Sequence, residues 1–407
     1  MPPPLSVDDA LARILDAVEP MPRETVAIEA AHRRTLAGPL AALLTQPPFD
    51  ASAMDGYAVR GADVLHLPAT LDVIGTAAAG HPFGGTVAAG QAVRIFTGAP
   101  VPAGADAIVI QENATQERTA RGSARVTVRE GTPDKSNIRV RGFDFREGEV
   151  LLREGRRIGP RELALAAAMG HGSVPVHRQP RVAILSTGDE LVAPGKRPGP
   201  GQIISSNHLG IAALAEASGA EIMLLGIAHD TRESLQEHIG RAEGCDVLVT
   251  IGGASVGDHD LVGPVLETRG MALSFWKIAM RPGKPLMYGR LGAMRVLGLP
   301  GNPVSSLVCT RVFLVPLLRA LLGGPAQADR PVEARAAVAL EANGPRQHYM
   351  RATSKPGGDG LVLVTPVRSQ DSSLLAPLAE ADCLLVRPAH APAVAAGGPV
   401  PILPLDF

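Results

Sequence analysis

The sequence predicts a multidomain α/β protein built around a mostly parallel sheet with helices on both faces. Its 407 residues are too many for one ordinary hydrophobic core and are consistent with roughly two to four domains. From residue 179 onward, short β-branched runs alternate with helical patterns, which is typical of βαβ units. Stretches of short strands lie on either side of this region, and they predict a small β domain before it and a small β-barrel after it.

The composition argues against several classes of function. The formal net charge is -1 and aromatic residues make up 3% of the chain, so neither bulk positive charge nor a base-stacking surface indicates nucleic-acid binding. The N-terminus shows no signal peptide. The most apolar helical stretch, residues 304–322, contains Arg311 and Arg319, and we expect it to be too short and too charged to span a bilayer. We therefore expect a soluble, cytoplasmic protein with no nucleic-acid or membrane partner.

Cysteine usage fits a reducing compartment. The three cysteines are widely separated, lie in or beside apolar runs and lack metal-ligand spacing, so buried, unreactive thiols are expected at Cys245, Cys309 and Cys383.

The first half of the chain carries helical patterns at its start and short strands afterwards. Residues 6–18 have apolar side chains at helical spacing with Ser6 as the N-cap, and a second helix is predicted over residues 30–36. The predicted strands of the β-rich stretch are residues 71–74, 92–96, 107–110 and 125–128. A helix rich in Ala and Leu follows over residues 161–169.

The second half supplies the sheet domain and the barrel. The predicted sheet strands are residues 182–185, 222–227, 247–251, 273–278, 285–288 and 295–299. The predicted helices are residues 207–217, 230–242, 261–268 and 304–322, the last with a kink at Pro316. The predicted barrel strands are residues 332–340, 349–354, 361–365, 383–387 and 400–403. Pro401 would place the last of them on an edge.

A glycine-rich loop after the strand at residues 247–251 is the strongest candidate for a ligand site. Its glycines would let backbone N–H groups approach an anion, and the loop opens a helix. Asp258 and Asp260 place two carboxylates at the same point, and a Mg²⁺ ion between them and a phosphate would resolve the repulsion. A plain strand-to-helix turn with an aspartate N-cap is the alternative reading. The loop residues assigned to binding are Gly252, Gly253, Ser255 and Gly257.

Further polar groups follow the other strands of the predicted sheet. Ligands bind at the carboxyl ends of the strands in such sheets, so these groups are expected to lie on one edge. The acidic candidates there are Glu190 and Asp230, and the basic ones are Lys277, Arg281 and Lys284. The loop with Pro300, Asn302 and Pro303 ends the last strand. Carboxylates, basic side chains and glycine loops together favour a phosphate-plus-metal site.

Two residues of the first β domain are weaker candidates on their own. Asp55 precedes Gly56 in a turn signal, and turn chemistry alone would explain it. Thr97 opens a loop stiffened by Pro100 and Pro102, where its hydroxyl could contact a ligand or simply a turn partner.

Six motifs, in this order, closely resemble the molybdopterin molybdenumtransferase family, the MoeA-type proteins related to the gephyrin E domain. They are Ser52-Ala-Met-Asp-Gly-Tyr-Ala58, Thr97-Gly-Ala-Pro-Val-Pro102, Ser186-Thr-Gly-Asp-Glu-Leu191, Gly252-Gly-Ala-Ser-Val-Gly-Asp-His-Asp260, Arg281-Pro-Gly-Lys-Pro285 and Gly298-Leu-Pro-Gly-Asn-Pro303. The resemblance covers essentially the whole chain. It implies insertion of molybdate into adenylylated molybdopterin with Mg²⁺, giving molybdenum cofactor and AMP.

The resemblance also implies an architecture and an assembly. The domains would be an elongated linking domain (residues 5–45 and 141–178), an inserted β domain (46–140), a three-layer α/β domain of the molybdopterin-binding type (179–327) and a C-terminal β-barrel (328–407). An elongated homodimer is implied, in which one subunit's inserted domain closes over the partner's sheet edge. Transient contacts with molybdopterin adenylyltransferase and with molybdoenzymes are further expectations.

The resemblance assigns roles to individual residues. Those implied to be catalytic are Asp55, Thr97, Glu190, Asp230 and Asp260, and the metal ligands are implied to be Glu190, Asp230, Asp258 and Asp260. Asp144, Arg351 and Ser372 match further functional positions, and Ser372 is assigned to binding. Arg281 stands where lysine is frequent in the family, and Asp258 stands where glutamate is frequent. Arg281 keeps the charge but changes the donor geometry.

Two other functions remain open at the level of sequence. The sheet domain alone also resembles molybdopterin adenylyltransferase, although the long N-terminal region and the barrel argue against that reading. A non-catalytic scaffold related to gephyrin is the second alternative, but such a protein should have lost its acidic and basic site residues, which this chain keeps.

Overall fold

The computed structural model of the protein describes residues 4–118, 122, 124–130, 137–253, 261–358 and 360–405. Four predicted site residues fall outside these ranges, namely Ser255, Gly257, Asp258 and Asp260.

The N-terminal segment begins with the predicted helix, α1 (Val7–Leu15), whose N-cap Ser6 accepts a hydrogen bond from the Asp9 N–H at 3.0 Å. Strands β1 (Arg23–Ala27) and β2 (Leu40–Ala41) follow. The apolar face of α1 packs into the core of the sheet domain, although the sequence groups this segment with the linking domain. The helix predicted over residues 30–36 is wrong, and only a 3₁₀ turn forms at Ile28–Ala30.

The inserted domain is a curled sheet with a short two-stranded extension. Its strands are β3 (Ala51–Ser52), β4 (Gly56–Val59), β5 (Ala69–Ala77), β6 (Gln91–Ile95), β7 (Ala107–Ile110), β8 (Ala114–Arg118), β9 (Ala124–Val128) and β10 (Ile138–Arg139). Six of them form one sheet in the order β7-β4-β6-β5-β9-β8, and β3 pairs with β10. All four strands predicted for this stretch are confirmed, with small changes at their ends.

The chain then returns to the linking domain through β11 (Val150–Leu152), α2 (Pro160–Ala168) and β12 (Ser173–His177). β12 pairs antiparallel with β1, and β11 pairs antiparallel with β2. These pairings join segments that are far apart in sequence.

The sheet domain has three layers, as predicted. Its strands are β13 (Arg181–Thr187), β14 (Leu191–Val192), β15 (Ile203–Ile204), β16 (Glu221–Ala228), β17 (Val247–Ile251), β18 (Ala272–Trp276), β19 (Met280–Arg281), β20 (Met287–Leu291) and β21 (Met294–Leu299). Its helices are α3 (Asn207–Ala217), α4 (Arg232–Gly240), α5 (Val262–Thr268), α6 (Pro303–Cys309) and α7 (Val315–Leu321). The main sheet has the order β16-β13-β17-β21-β20-β18, and its first four strands are parallel.

Alternate residues of the central strands face two separate apolar cores. Val182 and Ile184 pack with α1, α3, α6 and α7, whereas Ala183 and Leu185 pack with α4 and α5. A strand buried on both faces reads as a continuous apolar run, which is why these strands were visible in the sequence.

The predicted helix over residues 304–322 is interrupted. A π-helical turn, Thr310–Leu314, separates α6 from α7, and Pro316 follows it as the second residue of α7. By length and composition alone the stretch Pro303–Leu321 could cross a membrane, so the prediction that it is too short and too charged to span a bilayer is wrong. However, 83% of its apolar window is buried inside the protein, as in the core helix of a globular domain.

The C-terminal segment forms the predicted barrel. Its elements are β22 (Val332–Ala336), β23 (Gln347–Pro356), β24 (Val362–Pro366), α8 (Ala376–Glu380), β25 (Cys383–Arg387) and β26 (Pro399–Pro404). The order β23-β24-β22-β26-β25 closes through pairing of β23 with β25. The edge position predicted for Pro401 is wrong, because β26 pairs with β22 on one side and β25 on the other. The pairing with β25 begins only at Ile402, so Pro401 faces a partner strand on one side only.

The three cysteines are free and buried, as expected. Burial raises the pKa of the Cys309 thiol, which keeps it protonated and unreactive.

Candidate active site

A cavity of about 590 Å³ opens at the carboxyl edge of the parallel strands. The ends of β13, β17 and β21 and the first residues of α3 and α6 surround it. Its lining residues are Ser186, Thr187, Glu190, Leu191, Ile203, Ile204, Ser205, Ser206, Asn207, Ile251, Gly252, Gly253, Pro285, Pro300, Gly301, Asn302, Pro303 and Ser373. This is the edge at which the sequence places the site.

Among the predicted acidic residues that the structure describes, Glu190 lines the cavity. Gly188 has φ +145°, and a Cβ there would lie 2.3 Å from Glu190 Oε2, so only glycine lets the carboxylate fold back over this turn. The neighbouring carboxylate of Asp189 is held elsewhere, by His229 Nδ1 at 2.9 Å. That hydrogen bond, followed by one from the Asp230 N–H, lowers the pKa of Asp189.

Asp230, the second predicted acidic residue, does not line the cavity. It follows β16, next to β13, and its backbone N–H donates to Asp189 Oδ1 at 3.4 Å. The turns after the two strands are therefore linked through Asp189, and they place Asp230 near the turn that carries Glu190.

The glycine turn after β17 is tightly packed. Gly252 and Gly253 have φ +87° and +62°, which favour glycine. A Cβ on Gly252 would lie 2.9 Å from the Thr187 carbonyl oxygen, and one on Gly253 would lie 2.4 Å from a methyl of Val262. The turn therefore presents bare backbone to the cavity, as the sequence predicts for this part of the loop.

The proline loop is hydrogen-bonded to the barrel. Pro300, Asn302 and Pro303 line the cavity as predicted. Asn302 Nδ2 donates to Ser372 Oγ at 3.1 Å, and the backbone carbonyl of Ser372 accepts from the Val304 N–H at 3.1 Å. The barrel thus contributes to the rim of the cavity, where Ser373, the neighbour of the predicted Ser372, is the lining residue.

Arg351 is buried beneath this rim and is hydrogen-bonded to its backbone. It is 1% exposed, and its guanidinium donates to the carbonyls of Leu374 at 2.7 Å, Ser369 at 2.8 Å and Asp371 at 2.9 Å. Burial lowers the pKa of this guanidinium. Arg351 therefore shapes the loop that carries Ser372 and Ser373, and it is not among the residues that line the cavity.

None of the three predicted basic residues is among the residues that line the cavity. Lys277 and Lys284 are neighbours, because the Ile278 N–H donates to the Lys284 carbonyl at 3.0 Å. Lys284 and Arg281 are exposed, and the adjoining Pro285 lines the cavity. Arg281 is paired in register with His348 of the barrel. Burial and then the Arg281 charge lower the pKa of His348 to about 4.

Asp55 and Thr97 form a pair in the inserted domain, apart from the cavity lining. The Thr97 N–H and the Thr97 hydroxyl both donate to Asp55 Oδ1 at 2.8 Å. These two hydrogen bonds are the main reason that the pKa of Asp55 is lowered. Asp144 is exposed at the return to the linking domain, where its N–H donates to the Gln46 carbonyl at 3.1 Å.

Sequence reasoning missed one wall of the cavity, Ser205 to Asn207. Asn207 Nδ2 donates to the Gly301 carbonyl at 2.7 Å and to Ser306 Oγ at 3.2 Å, which ties the start of α3 to the proline loop. The available signal was the polar run Ser205-Ser206-Asn207 at the start of the predicted helix, a pattern that also fits a plain helix N-terminus.

The fold and the cavity define a multidomain α/β protein with a small-molecule site at the carboxyl edge of a parallel sheet. Three family models match the chain: the MoeA N-terminal region (domain I and II) over residues 5–170, a probable molybdopterin binding domain over 183–320 and the MoeA C-terminal region (domain IV) over 333–405. The chain also has a TM-score of 0.81 to a crystal structure of a molybdopterin biosynthesis MoeA protein from Pyrococcus, with 30% identity and full coverage of both chains.

Curated relatives give the family its name. The molybdopterin molybdenumtransferase of Haemophilus influenzae is 36% identical to this chain over 99% of both sequences. The molybdopterin molybdenumtransferase of Bacillus subtilis is 33% identical over 98% of this chain and 94% of its own. The chain therefore belongs to the molybdopterin molybdenumtransferase family, which confirms the resemblance carried by the six motifs.

Proposed function

We propose that this enzyme inserts molybdate into adenylylated molybdopterin with the help of Mg²⁺, forming molybdenum cofactor and releasing AMP. The observation that carries this proposal is the cavity at the carboxyl edge of the sheet. There Glu190, the bare glycine turn and the proline loop face the same space. A cavity of this size with few convergent polar groups is typical of a small-molecule site.

The basic residues suit the charges of both substrates. Molybdate is a dianion, and the adenylylated substrate carries a pyrophosphate. Lys284 is exposed and adjoins Pro285, which lines the cavity, while Arg281 is exposed in the same segment and Lys277 lies next to Lys284. We propose that these side chains hold the anionic groups, since arginine and lysine pair strongly with oxyanions.

The acidic residues fit a magnesium ion that is shared with the substrate. Among the described residues, no group of three or more His, Cys, Asp or Glu side chains is placed to hold a metal. Magnesium usually takes one or two carboxylates and fills its shell with water and substrate phosphates, so a full protein cage is not needed. We propose Glu190 and Asp230 as ligands, together with Asp258 and Asp260 of the glycine loop. When bound, the ion would neutralise charge on the phosphoanhydride.

The protein would act mainly by positioning and electrostatics. The glycine turn offers backbone N–H groups to an anion, and Asn302 and Ser373 offer polar side chains at the rim. A homodimer with composite sites, a cytoplasmic location and transient contacts with molybdopterin adenylyltransferase and molybdoenzymes belong to the same proposal.

The deciding experiment measures AMP release from adenylylated molybdopterin with and without molybdate. We expect release that depends on molybdate and Mg²⁺. A parallel reaction with molybdopterin and ATP measures pyrophosphate release. Pyrophosphate release without molybdate-dependent AMP release would instead establish the adenylyltransferase, and the absence of both reactions would favour a scaffold.

A further inference from the structure

Arg94 lies in the inserted domain next to the Asp55–Thr97 pair, and nothing in the motifs assigns it a role. It is directly opposite Tyr57 in the pairing of β4 with β6. Its guanidinium carbon lies 5.1 Å from the centre of the Tyr57 ring and 4.9 Å from the centre of the Phe96 ring. Phe96 directly follows β6 and is two residues after Arg94, and its ring lies against the guanidinium. Both distances are within the range of a cation–π contact.

The guanidinium is also fixed by two hydrogen bonds. One Nη donates to the Gly56 carbonyl at 3.1 Å, and the other donates to Gln111 Oε1 at 2.7 Å. The two ring contacts and the two hydrogen bonds leave little freedom for this side chain. Only a planar group with a fixed fork of donors can make all four contacts together.

Three of these four contacts lead back to the pair. Gly56 directly follows Asp55, and Phe96 directly precedes Thr97. The Gln111 N–H donates to the Asp55 carbonyl at 3.0 Å, so the third anchor also holds the main chain of Asp55. The Arg94 charge adds a smaller contribution to the lowered pKa of Asp55, after the hydrogen bonds from Thr97.

We infer that Arg94 is the positioning residue of the Asp55–Thr97 pair, holding the two chain segments so that the carboxylate and the hydroxyl meet in one fixed geometry. The inference rests on the proposed function for the part that concerns turnover. Phe96 remains 38% exposed, so this assembly is presented at the surface of the inserted domain, where a partner group can reach it.

The test is the Arg94→Lys variant, which keeps the charge but loses the fork and the flat faces. We expect kcat for AMP release to fall roughly 10- to 100-fold with little change in KM, since misplacing a reacting group acts on the chemical step. In the double variant with Asp55→Asn, turnover should be no lower than in Asp55→Asn alone, because Arg94 acts through Asp55. Amide hydrogen exchange at Thr97 should be faster in Arg94→Lys.

The matched control is Arg125→Lys, an exposed arginine of the same domain that pairs with Asp72 at 2.7 Å. It should leave turnover and Thr97 exchange unchanged. Wild-type turnover in Arg94→Lys, or a loss that multiplies with that of Asp55→Asn, would overturn the inference. If Arg94→Lys does not fold, Phe96→Leu tests the same point by removing one ring. Unchanged turnover and unchanged hydrogen exchange at Thr97 in that variant would also overturn the inference. If the wild type releases no AMP, the proposed function fails, while the exchange measurement still decides the positioning role.

Discussion

Glu190 reaches the cavity because Gly188 leaves room for it. A Cβ at Gly188 would meet the Glu190 carboxylate in its present position, and the φ of +145° at Gly188 also favours glycine. The carboxylate between them, Asp189, is held by His229. The turn therefore carries two acidic side chains with different environments. One accepts a hydrogen bond within the protein, and the other faces the space in which we propose the substrate and Mg²⁺.

The Glu190→Gln variant tests this assignment. We expect turnover to fall on the order of 100-fold and the Mg²⁺ concentration for half-maximal rate to rise, because an amide is a weaker ligand for a hard cation than a carboxylate. Steady-state AMP release over a Mg²⁺ titration measures both effects. Glu237→Gln, on the exposed side of α4, is the matched control and should behave as wild type. An unchanged Mg²⁺ dependence in Glu190→Gln would remove Glu190 from the set of ligands.

At this scale the sequence predicted which strand-end segments meet at the cavity better than it predicted the contacts between them. Glu190, the glycine turn and the proline loop are in the cavity because motifs at strand ends share one edge of a parallel sheet. Arg351 was predicted near the site, but its burial under the Ser369–Leu374 segment depends on the closure of the barrel. The contribution of Asn207 likewise depends on the proline loop, which is 94 residues away in the chain.

Among the elements, the segment between α7 and β22 joins the sheet domain to the barrel. Asp329 in this segment forms ion pairs with Arg311 of the π-helical turn and Arg319 of α7. Burial alone would raise the pKa of Asp329, but the hydrogen bonds from Arg319 and Arg311 outweigh it and lower the pKa. The folded state therefore stabilises the ionised carboxylate of Asp329 relative to the unfolded chain.

Asp329→Asn should lower the free energy of unfolding by about 1–2 kcal/mol at neutral pH, a value reduced for partial exposure of the pair. The stabilisation by a carboxylate of lowered pKa is present above its ordinary value of 3.8 and is lost as the pH falls through the lowered value. Urea unfolding at pH 7 and near pH 3 measures the difference, which should shrink at the lower pH. Glu154→Gln, in an exposed pair with Arg23, is the control and should change little. An equal deficit at both pH values would contradict this account.

The elements that sequence predicted well are those whose signal is local. β17, β7, β25 and α3 have the predicted bounds because apolar periodicity and flanking turns define them. The segment at residues 30–36 has a helical pattern, but its backbone forms hydrogen bonds with other parts of the linking domain and not within a helix. For example, the Leu36 N–H donates to the Arg156 carbonyl at 3.0 Å. Tertiary pairing overrides a short helical preference.

For the whole molecule, the separation of Asp55 from the cavity lining leads to a prediction about assembly. Asp55 and Thr97 are held as a rigid pair in the inserted domain, whereas Glu190 belongs to the sheet domain. In the proposed two-fold dimer, each site would combine the inserted domain of one subunit with the sheet edge of the other.

Mixing Asp55→Asn with Glu190→Gln should therefore restore activity. Under subunit exchange, half of the dimers would be mixed, and each would hold one intact site, so about one quarter of the wild-type rate of AMP release is expected. Native mass spectrometry of the mixture verifies exchange, and each variant mixed with itself is the control. Exchange without recovery would mean that both residues act within one chain.

The short strand β19 has a consequence for how the chain can be divided. It belongs by sequence to the sheet domain, yet it pairs in parallel with the first residues of β23, which lie before the part of β23 that pairs with β24. A strand of the sheet domain, β19, therefore covers the edge at the start of β23. A fragment that starts at residue 328 would expose that edge, and an exposed edge is a template for association with other chains. We therefore expect the barrel and the sheet domain to unfold together, and not as two modules that could be exchanged between proteins.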